Sequence, residues 1–133
     1  MRVGTCLVLL LCVLACSGCG KEKSTDQLIQ DLNSSQEKDR VIAVRLLQQR
    51  DRDAARVVPA LIEALKDKVV DIRWSAAIGL GYFGEQAKAA IPALQAAQRD
   101  RDARVREAAG VALSRIDPTR FPAPTAQSKR RGK

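Results

Sequence analysis

The side chains that most often carry out chemistry are scarce in this sequence. Its 133 residues include no histidine, and the four cysteines, Cys6, Cys12, Cys16 and Cys19, all lie within the first twenty residues. Histidine is the commonest general base and metal ligand at neutral pH. The composition therefore excludes histidine-based catalytic triads and histidine-ligated metal sites. Beyond Cys19 it also excludes thiol nucleophiles, thiolate-bound zinc and disulfides.

Carboxylates are the remaining candidates for acid–base work, and they occur beside arginines. Asp51 and Asp53, like Asp100 and Asp102, stand in Arg-Asp-Arg-Asp runs. Because a neighbouring cation favours the ionised carboxylate, these runs predict charged surface residues rather than proton-transferring groups. We therefore expect no catalytic residue, no cofactor, no metal and no small-molecule substrate.

The two cysteines at 16 and 19 lie where a predicted secretory signal, residues 1–18, ends. Arg2 is followed by an almost unbroken apolar run over residues 3–15, and small residues then precede the polar change at Lys21. The run is shorter than the roughly twenty residues that a helix needs to span a bilayer, so a transmembrane helix is the weaker interpretation. An ordinary cleaved signal with incidental cysteines is a further alternative.

Both cysteines end a segment that resembles the bacterial lipobox, in which an aliphatic and two small residues precede a cysteine that becomes diacylated. The Ser-Gly step before Cys19 fits, although Cys16 takes the aliphatic place; before Cys16 the aliphatic residue fits, but Leu14 is bulky. The resemblance implies lipid attachment at Cys19, with Cys16 as the alternative, and a tether over residues 19–25. Two or more acyl chains hold a protein on a membrane. The implied location is the bacterial cell envelope, on the periplasmic face of a membrane.

The rest of the chain repeats itself every 33 residues. We assign repeats to residues 26–58, 59–91 and 92–117, which is about the minimum number for a stable stack. The first repeat is the most divergent. The equivalent positions are Leu28, Leu61 and Leu94; Arg40, Arg73 and Arg106; Ala43, Ala76 and Ala109; Leu47, Leu80 and Leu113; and Pro59 and Pro92.

Apolar residues within each repeat fall at helical spacing, which predicts a helical hairpin. In the second repeat, residues 61–65 mark one helix, residues 66–68 are a polar break, and residues 72–83 mark a second helix. One hairpin cannot bury its own apolar face, so adjacent hairpins must cover each other, and the alanines allow their helices to approach closely. The predicted fold is all-α, an α-α superhelix of about three hairpins.

Several residues predict where helices begin and end. Ser24, with Gln27 three positions later, predicts the N-cap of the first helix. Gly84 and Pro118 are expected to end the second helices of repeats two and three. Pro59 and Pro92 either open the first helices of their repeats or kink helices that begin upstream, near residues 54 and 87.

The repeats resemble HEAT repeats, in particular the short bacterial kind called phycobilisome-lyase-type. That pattern has a proline in the first helix, an aspartate eight positions on in the inter-helix turn, and an aliphatic–arginine pair opening the second helix. Repeat one keeps only Arg40, with Asp26, Ser34 and Asp39 at the other positions, which indicates an N-terminal cap. The full matches are Pro59, Asp67 and Ile72-Arg73, and Pro92, Asp100 and Val105-Arg106.

In such repeats the turn aspartate and the second-helix arginine form hydrogen-bonded ladders between neighbours. An arginine fork can bond a carboxylate bidentately, so the resemblance implies a structural rather than a ligand-binding role for these residues. The share of the first repeat in the ladder is left open by its divergence. The implied ladder residues are Arg40, Asp67, Arg73, Asp100 and Arg106.

The net charge of +8 is concentrated in the predicted disordered tail, residues 118–133. This tail has five basic and no acidic residues, whereas residues 20–117 have 17 basic and 15 acidic ones. Nucleic-acid binding needs a positive stripe and aromatic platforms, and neither is evident, so nucleic acid is not a predicted partner. The tail either contacts anionic lipid or wall polymers or only improves solubility.

Trp74 is the large aromatic residue without a repeat role, since Val41 and Glu107 are its equivalents. A position that accommodates glutamate is expected to face solvent, and tryptophan is a favoured interface anchor. Trp74, with Tyr82 near it, is therefore the candidate partner contact. The alternative is that the indole packs over a neighbouring repeat.

Three functions follow from these observations. The leading hypothesis is a membrane-tethered, extracytoplasmic HEAT-repeat scaffold that binds another protein and is not an enzyme. The second is a structural envelope protein whose basic tail contacts anionic lipid or wall polymer. The third is a lyase-type accessory enzyme, because the resemblance extends to chromophore lyases; the related di-iron hydroxylase needs histidines that this sequence lacks.

Overall fold

The computed structural model describes residues 22–123, and this part of the chain is helical and without strands. The predicted all-α superhelix is confirmed. None of the described helices is long and apolar enough to cross a membrane. The signal over residues 1–18, the candidate lipid sites Cys19 and Cys16, and residues 124–133 of the tail lie outside the described residues. The helices are α1 (Thr25–Asp31), α2 (Glu37–Leu47), α3 (Ala54–Ala64), α4 (Val70–Phe83), α5 (Ile91–Ala97) and α6 (Ala103–Ile116).

Successive helices pair as three hairpins, α1 with α2, α3 with α4 and α5 with α6, and the hairpins stack in chain order. The second helices of repeats two and three, α4 and α6, share the most extensive contact. Short 3₁₀ segments, Asp51–Asp53 and Gly84–Ala90, lead into α3 and α5. The predicted boundaries at 58/59 and 91/92 fall inside α3 and α5, because the 33-residue period fixes the spacing of the repeats but not where a hairpin begins.

The helix ends follow local side-chain chemistry. Ser24 accepts a hydrogen bond from the Gln27 backbone at 3.3 Å, and the Gln27 side chain accepts one from the Ser24 backbone at 3.0 Å. This reciprocal pair confirms the predicted capping box at the start of α1. Gly84 has a positive φ of 52° after the last residue of α4, a conformation that favours glycine. Asp102 caps α6 by accepting from the Arg104 backbone at 2.8 Å, which the sequence analysis did not predict.

The two repeat prolines behave differently. Pro59 lies inside α3, which begins upstream at Ala54, so in repeat two the first helix does start before its proline. Pro92 lies in the first turn of α5, where a missing backbone N–H costs nothing, and a 3₁₀ segment precedes the helix there. Ala87 interrupts that segment with φ −95° and ψ 19°. The structure therefore places Pro92 at the opening of its helix and Pro59 inside a helix that begins upstream.

The core consists of leucines that fill the spaces between hairpins and alanines where the second helices approach. Gly81 marks a close approach of α4 to α6, since a Cβ atom there would lie 3.1 Å from Ala112 Cα. Small residues thus set the spacing between the last two repeats, and this spacing shapes the surface that these helices present. The fully buried repeat positions are Leu28, Leu61 and Leu94; Leu47, Leu80 and Leu113; and Ala43, Ala76 and Ala109.

Candidate interaction surface and inter-repeat ladder

One edge of the stack carries the inter-helix turns and the arginines that open the second helices. Arg73 donates from Nε and Nη2 to the two carboxylate oxygens of Asp100, at 2.8 and 2.9 Å. Its Nη1 donates to the backbone carbonyls of Asp67 and Lys68, at 2.9 and 3.2 Å. Arg73 therefore braces its own turn and holds the turn of the next repeat by a bidentate charged pair.

Repeat one contributes a rung of the same form. Arg40 donates from Nε and Nη2 to Asp67 at 2.8 and 3.4 Å, and from Nη1 to the carbonyls of Ser34 and Ser35 at 2.9 and 3.3 Å. Repeat one therefore takes part in the ladder, because a repeat reaches the next one through its arginine alone. The turn aspartate that repeat one lacks would instead accept from an arginine of a preceding repeat.

Arg106 makes only the bonds to the backbone of its own turn. Its Nη1 donates to the backbone carbonyls of Asp100 and Arg101, at 2.8 and 2.9 Å, as its equivalents do in their own turns. Within residues 22–123 no carboxylate bonds its Nε or Nη2, and the residue is exposed. Of the five predicted ladder residues, the structure brings Arg40, Asp67, Arg73 and Asp100 into two rungs and leaves Arg106 at the end.

The Arg73–Asp100 rung is nearly closed to solvent, with side-chain exposures of 10% and 13%. The hydrogen bond from Arg73 holds the pKa of Asp100 below its usual value, and that bond also raises the pKa of Arg73. Asp100 further accepts from the Asp102 backbone N–H at 2.9 Å, as Asp67 does from Val69 at 2.8 Å. Each ladder carboxylate is therefore held by a side chain from the preceding repeat and by its own turn.

A groove of about 390 Å³ lies between α4 and α6, and both predicted contact residues line it. Trp74 is half-buried against the core and Tyr82 is exposed, with 66% of its surface accessible. The indole packs against the core and also forms one wall of the groove, so a packing role does not exclude a partner contact. The lining is Trp74, Ile78, Gly81 and Tyr82 from α4 with Arg104, Glu107, Ala108, Val111, Ala112 and Arg115 from α6.

Charged residues stand at both ends of this groove. Arg104 reaches from α6 to Asp71 on α4, with Nη2 3.2 Å from Oδ1. At the opposite end the guanidinium of Arg115 lies 5.3 Å from the centre of the Tyr82 ring, which is cation–π geometry. Arg115 was not among the contact residues predicted from the sequence. The signal that could have indicated it is its place one α-helical turn beyond Val111, on the groove-facing side of α6.

Three of the four carboxylates in the Arg-Asp-Arg-Asp runs make structural contacts, and the fourth, Asp51, is exposed. Asp53 accepts a hydrogen bond from the Thr25 hydroxyl, Asp100 pairs with Arg73, and Asp102 caps α6. Among the described residues, no group of three or more potential metal-binding side chains comes together. A larger recess of about 520 Å³ lies between α1 and α3, and its lining is mixed, with Ile29, Leu32 and Pro59 beside Arg56, Glu63 and Lys66.

A family model described as HEAT repeats matches residues 25–119. The comparison with curated proteins gave no match. Among solved structures, a chain in the complex of CpcE and CpcF of phycocyanin lyase from Nostoc sp. PCC7120 superposes with a TM-score of 0.66 at 29% identity. That similarity covers 75% of this chain and 40% of the other, so this chain spans less than half of its neighbour's length.

The family match agrees with the geometry, because three stacked hairpins share one arginine–aspartate ladder at the predicted repeat positions. It also extends over well more than half of the sequence. The chain therefore belongs to the HEAT-repeat family.

Proposed function

We propose that this protein is a HEAT-repeat scaffold that binds a partner protein through the α4–α6 groove and has no catalytic activity of its own. The observation that carries the proposal is the exposed aromatic and aliphatic lining of that groove. Tyr82 and Val111 are 66% and 43% accessible, although most large apolar residues of the described chain are buried. Exposed apolar surface beside charged residues is typical of protein-binding sites.

The residue types in the groove support protein binding over small-molecule binding. Tryptophan, tyrosine and arginine are the residues that most often carry binding energy in protein interfaces, and Trp74, Tyr82 and Arg115 all line this groove. The groove is open along the helices, so an elongated segment such as a partner helix could lie in it. The similar solved chain is itself one member of a two-protein complex, which also favours a protein partner.

An accessory role in a lyase is the second candidate, and the similarity to a phycocyanin lyase complex is the observation that favours it. This chain covers 40% of that neighbour, so the activity of the whole neighbour does not transfer directly. The non-catalytic proposal draws its support from the carboxylates Asp53, Asp100 and Asp102, each of which makes a structural contact. Turnover of a lyase substrate by the purified protein would favour the second candidate.

Attachment to the membrane of the cell envelope is part of the proposal and rests on the sequence around Cys16 and Cys19 alone. Labelling with radioactive palmitate, comparing the parent with Cys19→Ala and Cys16→Ala, tests it. We expect label in the parent and its loss in Cys19→Ala. Loss of label only in Cys16→Ala would assign the lipid to Cys16, and an unlabelled parent would show that the protein has no lipid anchor. In the absence of an anchor, recovery of wall polymer or lipid with the intact tail would support the structural envelope alternative.

The groove is tested by crosslinking and co-purification of the full chain from cells, followed by mass spectrometry. Trp74→Ala and Tyr82→Ala should reduce recovery of the partner, because truncating an interface anchor typically costs at least about 2 kcal/mol, or about thirtyfold in affinity. Gln95→Ala is the matched control, since Gln95 is exposed on α5 and does not line the groove. Undiminished recovery with Trp74→Ala, in a variant that keeps its helical content, would refute the assignment.

A further inference from the structure

Arg106, the last arginine of the ladder, makes the same backbone hydrogen bonds as Arg40 and Arg73, which also bind aspartates. In all three repeats Nη1 donates to two consecutive backbone carbonyls of the preceding turn, and for Arg106 these bonds measure 2.8 and 2.9 Å. They are the shortest such pair, since the corresponding bonds of Arg73 measure 2.9 and 3.2 Å. The guanidinium of Arg106 is therefore positioned although no side-chain carboxylate of the described chain faces it.

The open edge of Arg106 has a defined complement. In repeats one and two, Nε and Nη2 of the equivalent arginines bind both oxygens of an aspartate, with the Arg73–Asp100 distances at 2.8 and 2.9 Å. Residues 22–123 supply no such partner to Arg106, and residues 1–21 and 124–133 contain no aspartate or glutamate. The two closed rungs thus show that an aspartate carboxylate is the group that fits Nε and Nη2 of this arginine.

The aspartates that occupy the two closed rungs share a second feature. Oδ1 of Asp67 and of Asp100 also accepts the backbone N–H two residues later, at 2.8 and 2.9 Å. The matching ligand is therefore an aspartate that opens a tight turn between two helices. An arginine that is already fixed loses little side-chain entropy on binding such a carboxylate, which favours the contact.

A second copy of this chain does not present that ligand. Ser34 stands where an aspartate would be needed, and its hydroxyl accepts from the Gln36 backbone N–H at 3.1 Å, so the turn is the same but the carboxylate is missing. The open edge is accessible, because Arg106 lies in the first turn of α6 and residues 117–123 follow the other end of that helix. Arg106 is also outside the α4–α6 groove.

The outer surface of repeat three limits how such a partner can bind. Gln98 is exposed where its equivalent in repeat two, Leu65, is buried. A polar outer face is typical of the terminal repeat in a solenoid. A partner at this end therefore meets polar groups rather than an apolar core. The contact relies on the charge pair with Arg106 and should be weak and sensitive to salt.

We propose that Arg106 is a second interaction site, which binds the turn aspartate of a partner helical-repeat protein as Arg73 binds Asp100. The site is separate from the α4–α6 groove and does not depend on it. It selects a different partner chain, because this chain lacks the aspartate at its own first turn.

The proposal can be tested by supplying the missing carboxylate on a second copy. The full chain is mixed with the full-length Ser34→Asp variant, and association is measured by sedimentation at low and high salt. Ser34→Asn is the matched control, since an asparagine can keep the turn but brings no charge. We expect Ser34→Asp to associate about fivefold to tenfold more tightly than Ser34→Asn at low salt, with the difference lost at high salt.

The arginine side of the contact is tested in the same mixture, with both copies carrying the substitution under study. Arg106→Gln should remove the gain, whereas Arg52→Gln, at an exposed arginine outside both the groove and the ladder, should keep it. The Nε–H resonance of Arg106 should shift on mixing in nitrogen-15 spectra. Equal association of Ser34→Asp and Ser34→Asn, or a gain that survives Arg106→Gln, would overturn the proposal. Trp74→Ala should leave this association unchanged, which separates its outcome from that of the groove.

Discussion

Replacing the ladder arginines by alanine tests which of them hold the stack together. Arg73 makes two bonds to Asp100 and two to backbone carbonyls, and 10% of its side chain is exposed. Arg106 makes only the two carbonyl bonds and is exposed. Arg73→Ala leaves a nearly buried carboxylate without its counter-charge, whereas Arg106→Ala leaves two carbonyls that water can reach.

The expected costs differ by several-fold. Removing one partner of a buried ion pair costs about 3–5 kcal/mol. Asp100 is 13% exposed and keeps the N–H of Asp102, so we expect the lower end, about 3 kcal/mol, for Arg73→Ala. Arg106→Ala should cost about 1 kcal/mol or less, because exposed hydrogen bonds are replaced by water. Arg40→Ala should resemble Arg73→Ala, since Arg40 and Asp67 are 7% and 12% exposed.

Thermal and urea unfolding followed by far-ultraviolet circular dichroism measures these differences. In a domain of this size 1 kcal/mol corresponds to about 4–8 °C in Tm, so Arg73→Ala should lower Tm by about 12–24 °C and Arg106→Ala by about 8 °C at most. A double-mutant cycle with Asp100→Asn should give a coupling energy within the usual range of about 0.5–3 kcal/mol. Equal losses at Arg73 and Arg106, or no coupling to Asp100, would refute the ladder as the source of stability.

Three further predictions concern helix spacing, pH and capping. Gly81→Ala should destabilise the protein by about 1 kcal/mol, because the added Cβ would lie 3.1 Å from Ala112 Cα. Gly110→Ala has its nearest contact at 3.6 Å and should stabilise the protein by up to about 1 kcal/mol. Urea unfolding that ranks the two variants the other way would contradict this helix spacing. The bond from its arginine lowers the pKa of Asp100, so its contribution to stability is complete above the unfolded value of about 3.9 and is lost as the pH falls through the folded value. Acid unfolding of Asp100→Asn should therefore be less steep below about pH 4, and an unchanged profile would exclude this carboxylate as a cause. Ser24→Ala removes the capping box of α1 and should cost about 1 kcal/mol, seen as a lower urea midpoint; no change would show that α1 is held by packing alone.

The repeat period made the ladder residues predictable, but it did not fix which aspartate each arginine binds. Asp67 and Arg73 are six positions apart, so Arg73 could in principle pair with the aspartate of its own turn or of the next. Packing decides between them, because the arginine reaches only the backbone of its own turn and its fork faces the turn of the next repeat. Which aspartate an arginine binds depends on how the hairpins stack, and it cannot be read from the sequence of one repeat.

The groove was partly predictable for a related reason. A tryptophan at a position equivalent to Val41 and Glu107 indicated a surface residue, and the structure places Trp74 half-buried at the groove wall. Its other wall could not be foreseen, since it depends on how closely α4 and α6 cross. That crossing is set by Gly81 against Ala112, a contact between residues 31 positions apart that the 33-residue period does not predict.

A ladder in which each arginine binds the aspartate of the next repeat must end with one unmatched position at each side of the stack. At the first repeat the unmatched acceptor has been removed, since Ser34 uses its hydroxyl within its own turn and toward Asp39 at 3.0 Å. At the third repeat the unmatched donor is kept. A glutamine amide is too short to reach the two carbonyls that Nη1 of Arg106 bonds, but these carbonyls are open to water, so Arg106→Gln should cost about 1 kcal/mol or less while abolishing carboxylate binding. A large loss of stability in Arg106→Gln would instead show that the arginine is kept for its own turn.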